Sequence, residues 1–338
     1  MPRQRTRRIV RTLAIACAAA VIGTAVVQGQ IAHAATAIRT PAQIQAASSR
    51  QLFAGGLAVQ PTSQAAQAEQ ALRAKKKTTE ANTIHQIASQ PVAIWLGDWY
   101  STTQLKKVVA TELANAERYS RTLVLVTYAI PDRDCGGFSA GGLTAKQYLA
   151  WNQVIADGLR GHRAAVIVEP DALAMISSCP KVASERLPLL KSAVTALANA
   201  GAATYLDAGN SNWVKPDVMA SRLTAAGIGS ARGFATNVSN YYPLANEVAY
   251  ADKVSALTGG SHYVVDISRN GRGWKGTWCN PPGAGLGRNP SVSMANTKLD
   301  ASLWIKTPGA SDGTCNGGPQ AGSWWEQYAL QLVKLRAT

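Results

Sequence analysis

From Val92 onward, short apolar runs alternate with Ala- and Leu-rich stretches, and this alternation limits the fold more than any other feature. The runs are VAIWLG (92–97), TLVLVTYAI (122–130), AAVIVEP (164–170), ATYLDAG (203–209), GFATN (233–237), HYVVDIS (262–268) and SLWIKTP (302–308). Between them, 102–119, 144–161, 183–201 and 244–258 have the composition of helices. Parallel strands need a crossover long enough to hold a helix, so a βαβα pattern implies a parallel sheet covered by helices. Strands that are apolar on both faces fit that geometry. Seven runs predict an α/β fold with seven parallel strands, in a domain large enough for a β/α barrel.

The polar residues gather at one end of these strands. The second run ends in Tyr128 and leads to Asp134, the third ends in Glu169-Pro170-Asp171, and the fourth reaches Asp207. The fifth ends in Asn237, the sixth carries Asp266 and leads to Arg269-Asn270, and the seventh leads through Lys306 to Asp312. In α/β barrels the C-terminal ends of the strands and their loops build the active site. Any one of these acids alone could be a helix cap or a buried ion-pair partner. Together they form a rim of carboxylates.

The remaining segments set the context. Residues 1–34 read as an export signal. Arg3, Arg5, Arg7, Arg8 and Arg11 precede an apolar stretch from Leu13 to Val27, and Ala32-His33-Ala34 offers a small-x-small cleavage site. Arg7-Arg8 hints at twin-arginine export. The apolar stretch is short for a bilayer span and lacks a basic flank after it, so no stable membrane association is expected. Residues 35–49 are Ala-, Gln- and Ser-rich and are expected to be disordered; 62–74 reads as a helix of the main domain, which spans 50–338. Removal of the signal lowers the formal charge from +15 to +10. The basic residues are scattered, and their one run, Lys75-Lys76-Lys77, reads as a solvated surface, so nucleic acid is not the expected partner. Cys135, Cys179, Cys279 and Cys315 remain after processing, an even number that suits an oxidising compartment. Four cysteines allow three connectivities, and the one that joins sequence neighbours, Cys135–Cys179 with Cys279–Cys315, is favoured. No Cys-x-x-Cys occurs and the histidines are far apart, which argues against a metal site.

Several motifs resemble glycoside hydrolase family 6, the cellulases that include endoglucanases and cellobiohydrolases. VTYAIPDRDCGGFSAGG (126–142) and VIVEPDALA (166–174) resemble its two signature segments. YLDAGNSNW (205–213), GFATNVSNYY (233–242), VVDISRNGRG (264–273), WCNPPGAGLG (278–287) and LWIKTPGASDG (303–313) follow in the family's order. The resemblance covers roughly residues 52–338. It implies a seven-stranded distorted barrel and cleavage of β-1,4-glucosidic bonds with inversion of configuration. Inversion needs an acid for the leaving oxygen and room for a water on the opposite face of the sugar.

On the same resemblance, Asp171 is the general acid, and Asp134 tunes it and helps organise the water. Asp312 matches a residue proposed as base, although a relay can replace it. Asp207 resembles a charge-stabilising residue, Tyr128 presses on the sugar at the cleavage point, and Ser139 holds the nucleophilic water. Trp95, Trp213 and Trp278 resemble sugar-stacking platforms, Lys306 a hydroxyl ligand, and Asn210 and Asn237 fall in substrate-binding segments. Trp274, Trp304, Trp324 and Trp325 are expected to pack. The implied partner is a β-1,4-glucan, with no cofactor and no metal, acted on by a secreted monomer. Two positions depart from the family pattern: Asn210 stands where His is usual, and Gly309-Ala310 where Gly-Glu is usual. Both substitutions put substrate affinity in question.

Only eight residues separate Cys315 from Trp324, too few for a long loop over the cleft, so internal cleavage is expected. A cellobiohydrolase of the same family, or a glucan-binding protein without turnover, are the alternatives. Gly137-Phe138-Ser139-Ala140-Gly141 also matches a serine-hydrolase elbow, with His262 downstream. The elbow requires a strand running directly into the serine, and here the strand ends near Ile130.

Overall fold

The computed structural model describes residues 38–337; the export-signal reading of 1–34 lies outside the described residues. Seven parallel strands follow one another in the sheet in sequence order: β1 (Ile94–Gly97), β2 (Leu123–Tyr128), β3 (Ala164–Val168), β4 (Ala203–Asp207), β5 (Gly233–Thr236), β6 (His262–Asp266) and β8 (Leu299–Leu303). A two-residue strand β7 (Ser291–Val292) adds antiparallel to β8 at the edge. The last parallel strand begins three residues earlier than the sequence suggests, so Ile305 and Lys306 belong to the rim rather than the strand. The ring nearly closes: Ala93 N–H donates to the Trp304 carbonyl at 2.9 Å, and Val92 bridges Trp304 in parallel.

The helices start where the sequence provides caps. Ser101 begins α5 (Thr102–Arg118) and Thr144 begins α6 (Ala145–Leu159), each in a reciprocal box with a glutamine three residues on. Two donors of the first turn are thereby satisfied locally. α7 (Ala183–Asn199), α8 (Pro216–Ala225) and α9 (Leu244–Leu257) complete the cover over β3 to β6.

Side-chain alternation along the strands creates two cores. In β3, Ala165 and Ile167 point into the barrel, while Ala164, Val166 and Val168 meet the helices. The inner core mixes small residues, among them Ala165, Ala203, Ala235 and Ala301, with larger ones such as Ile167, Leu303 and Tyr205.

The N-terminal end of the barrel corrects one expectation. Of residues 35–49, expected to be disordered, the described part from 38 onward carries a capped helix α1 (Pro41–Ala46), and α2 (Ser49–Leu52) follows directly. Ile44, Leu52 and Phe53 join the inner core. The buried Arg232 donates to the Ile44 carbonyl at 3.1 Å, and its Nε meets Asp300 at 2.8 Å. Ser49 Oγ and Tyr205 OH also donate to Asp300 at 2.8 and 2.7 Å. This segment therefore floors the barrel, holding contacts that its bland composition does not advertise.

Candidate active site

The opposite end of the sheet concentrates unusual backbone. Asp132, Asp134, Cys135, Glu169, Asp171, Asn237, Ser239 and Asn280 all have positive φ, between +45° and +70°. L-residues adopt that region at a cost, and it persists where surrounding contacts impose it, most often at functional sites.

Strand β3 delivers Glu169 and Asp171 to the rim in different roles. Glu169 is buried and accepts hydrogen bonds from the Ala129 and Ile130 N–H groups at 3.0–3.1 Å, tying the end of β2 to the end of β3. Burial pushes its carboxyl up to about 7 despite those bonds. Asp171 points elsewhere. Its own N–H donates to Asp207 Oδ2 at 2.8 Å, yet its carboxyl receives no hydrogen bond among the described residues. Burial first, and then the negative charge of Asp134, raise Asp171 to about 7. Asp207, at the end of β4, is raised well above the usual range by burial and by Asp171, and its Oδ1 is buried without a partner.

Asp134 sits on a short 3₁₀ turn (Asp134–Gly136) beyond β2. Its Oδ2 accepts the Ser139 N–H at 2.7 Å. The loop is held by a residue whose role the sequence reading did not identify: Arg133 pairs with Asp98 at 2.6 Å, donates to the Ser139 and Tyr128 carbonyls, and lies 4.7 Å over the Tyr128 ring. Tyr128 stands edge-on to Trp95, 5.0 Å between ring centres, and Trp95 donates its indole N–H to the Ile305 carbonyl at 2.8 Å.

Asp312 has the opposite environment from Asp171. Arg269 donates to both of its oxygens at 3.0 and 2.8 Å, Lys306 Nζ lies 3.0 Å from Oδ1, and Tyr241 OH and Asn280 N–H reach Oδ2 at 3.1 and 3.0 Å. Burial pushes this carboxyl upward too, but the Arg269 and Lys306 charges override it and hold it at about 2. Arg269, fully buried 4.4 Å over the Tyr241 ring, is a rim residue to which the sequence reading gave no role. Its place three residues after strand-end Asp266 was the available signal. Asp266 accepts N–H bonds from Ser239, Ser268, Ile305 and Lys306 and fastens three loops together.

The expected platforms Trp213 and Trp278 are 39% and 47% exposed, as large rings waiting for a flat ligand would be. Trp213 lies over Gly209, where φ is +66° and a Cβ would come within 3.4 Å of its ring. Phe138, 6.2 Å from Trp278, also faces solvent.

Other expected site residues need correcting. Asn237 is completely buried, and its amide bonds the Asp266 carbonyl at 2.8 Å and both backbone groups of Tyr242, so it shapes a loop rather than facing a ligand. Asn210 Oδ1 accepts the Asn212 N–H at 3.0 Å and forms a turn. Trp274, expected to pack, is 38% exposed and stacked on Tyr242. Cys279 and Cys315 are bonded, as expected. Cys135 and Cys179 instead stand as free thiols, close enough to hydrogen-bond each other. The serine-hydrolase elbow fails on geometry: Ser139 lies on the rim, while His262 opens β6 and pairs with Asp300 in the floor.

The chain matches the model for glycosyl hydrolases family 6 over residues 54–336. It is 41% identical over 279 residues to endoglucanase A of Cellulomonas fimi, covering 82% of this chain and 61% of that relative's length. A cellobiohydrolase C of Emericella nidulans is more distant, 30% identical over 62% of this chain and 60% of its own. Among solved structures, the endoglucanase Cel6 from Mycobacterium tuberculosis, in complex with a thio-linked methyl-cellobiosyl cellobioside, superposes with a TM-score of 0.77. It is 42% identical, over 82% of this chain and 95% of that one. Among the described residues, no helix is long and apolar enough to cross a membrane.

Proposed function

We propose a function that proceeds from one premise: the chain belongs to family 6 of the glycosyl hydrolases. It is an exported endoglucanase that hydrolyses internal β-1,4-glucosidic bonds with inversion. Its working site is the carboxylate rim, and residues 1–34 are its export signal.

The observation that carries this reading is the state of Asp171. A general acid must hold its proton until the leaving oxygen needs it, and a carboxyl near 7 does so in a neutral medium. Asp134 supplies the repulsion that helps keep it protonated. Tyr128 and Trp95 hold the sugar on one side of the scissile bond, and Trp213 and Trp278 stack further units. The water rests at Ser139 and passes its proton through Asp134, whose Oδ2 already accepts the Ser139 N–H. Asp312 is not the direct base in this scheme. Four groups already donate to it, and at about 2 it has little affinity for a proton. Its part is to anchor Lys306 at the edge of the cleft. In the oxidising compartment that export implies, Cys135 and Cys179 join and secure the Asp134 loop.

The endo reading is supported by the short Cys315–Trp324 segment and by greater similarity to endoglucanases than to cellobiohydrolases. The test follows viscosity and new reducing ends on soluble carboxymethylcellulose for wild type and Asp171→Asn. An endoglucanase drops the viscosity early with few ends released, and the variant does neither. Steady cellobiose release with little viscosity change would instead identify a cellobiohydrolase. Retention on cellulose without hydrolysis would identify a binder.

A further inference from the structure

Beyond Trp213, a second aromatic surface lies on the same face of the barrel. Tyr242, in the loop after β5, and Trp274, in the loop after β6, stack with ring centres 5.2 Å apart and planes within 5°. Trp274 is nevertheless 38% exposed. A ring covered on one face by a parallel neighbour and still this exposed has its other face to offer.

The pair is rigidly built. The Tyr242 carbonyl accepts the side-chain amides of Asn237 at 3.2 Å and Asn270 at 3.3 Å, and its N–H donates to Asn237 Oδ1 at 3.1 Å. Trp274 leaves a turn closed by Gly273 N–H on the Asn270 carbonyl at 3.1 Å, with Gly273 at φ +67°. The stack is also tied to the loop that carries Trp213. Asn212, the neighbour of Trp213, donates its amide to Tyr242 OH at 2.9 Å. On the Tyr242 side of this link, away from Trp274, a groove of about 420 Å³ is lined by Asn212, Tyr242 and Asn246. Polar side chains alongside an exposed flat ring are what a hexopyranose requires, because its C–H face stacks while its edge hydroxyls take hydrogen bonds.

We propose that the Tyr242–Trp274 stack is a sugar-binding platform that extends the cleft beyond Trp213 and takes the continuing β-glucan chain. This rests on the glucanase reading above and adds a subsite to it. The platform rewards long substrates: a chain reaching Trp274 gains a stacking contact that a short one cannot make.

The experiment compares kcat/KM on cellotetraose, cellohexaose and soluble carboxymethylcellulose for wild type, Trp274→Ala and Trp274→Tyr, with thermal melts of all three. Wild type should gain on lengthening from cellotetraose to cellohexaose. Trp274→Ala should lose about tenfold of that gain, chiefly through KM, and Trp274→Tyr should restore most of it. An equal loss at every length, or a length dependence identical to wild type, overturns the platform. Absence of wild-type hydrolysis on all three substrates would overturn the glucanase reading instead, so the two failures are distinguishable.

Discussion

Asp171 and Asp312 are aspartates on loops of the same rim, the first partly and the second almost wholly withdrawn from water, yet they lie at opposite ends of the proton scale. Burial pushes both carboxyls up. Around Asp171 the next influence is another carboxylate, and it rests at about 7. Around Asp312 it is the Arg269 guanidinium and the Lys306 ammonium, and it rests at about 2. Burial alone drives both carboxyls upward, and only where cations gather, as around Asp312, is that push reversed. One side of the cleft is thereby prepared to hold a proton, and the other to hold a charge.

The largest effect should come from breaking the proton side. Asp171→Asn removes the acid while keeping its shape, and kcat on carboxymethylcellulose should fall by about 10³-fold, within the range that general acid catalysis supplies. A loss of less than tenfold would mean that the proton comes from elsewhere. Breaking the charge side should show in stability. Asp312→Asn leaves Arg269 and Lys306 buried without a counter-charge, which costs roughly 3–5 kcal/mol. Urea unfolding at pH 7 measures this, and a change under about 1 kcal/mol would show that the clamp holds little.

pH sharpens the comparison, because the two residues contribute with opposite sign. Asp312, depressed in the fold, adds stability that is present above the ordinary aspartate range and is lost as pH falls toward 2. Asp171, raised in the fold, binds a proton that the unfolded chain has already released, so native stability declines as pH rises from about 4 to about 7. Glu169 and Asp207, also raised, add to the same decline, so Asp171→Asn should make it shallower and leave the variant more stable than wild type at pH 8, by on the order of 1–3 kcal/mol. Parallel stability–pH curves for the two proteins would refute this. Activity should likewise fall above pH 7 as Asp171 loses its proton.

A smaller effect should follow from oxidising Cys135 and Cys179, which lie at the two ends of a segment containing Asp171. Closing that loop should stabilise the fold by about 2–4 kcal/mol, read as a higher Tm without reductant and as two fewer alkylatable thiols by mass. A Tm indifferent to reductant while the thiols become protected would show that the bond strains the rim as much as it constrains the unfolded chain.

The two sides of the cleft were unequally legible in the sequence. The seven parallel strands could be read because burial on both faces leaves unbroken apolar runs, and the acids at their ends could be read because strand polarity sends them to one rim. The Arg269–Asp312 clamp could not, since its partners lie 43 residues apart and meet only through the barrel. Asn237 resembled a ligand, but its amide serves the Tyr242 loop, a use that only the fold reveals. The floor at Arg232 and Asp300 was hidden for the same reason, and with it the order of residues 41–52. Trp274 looked like packing because a lone tryptophan in a Gly-rich loop gives no hint of which face is covered.

The most direct test of the account is a ¹³C titration of the Asp171 side-chain carboxyl in wild type and in Asp134→Asn. A midpoint at about 7 in wild type, falling in the variant yet staying above the ordinary aspartate value because burial persists, is the expected result. A wild-type midpoint near 4, the ordinary aspartate value, would mean that Asp171 has no proton to give at neutral pH and would contradict the division of the cleft into a proton side and a charge side.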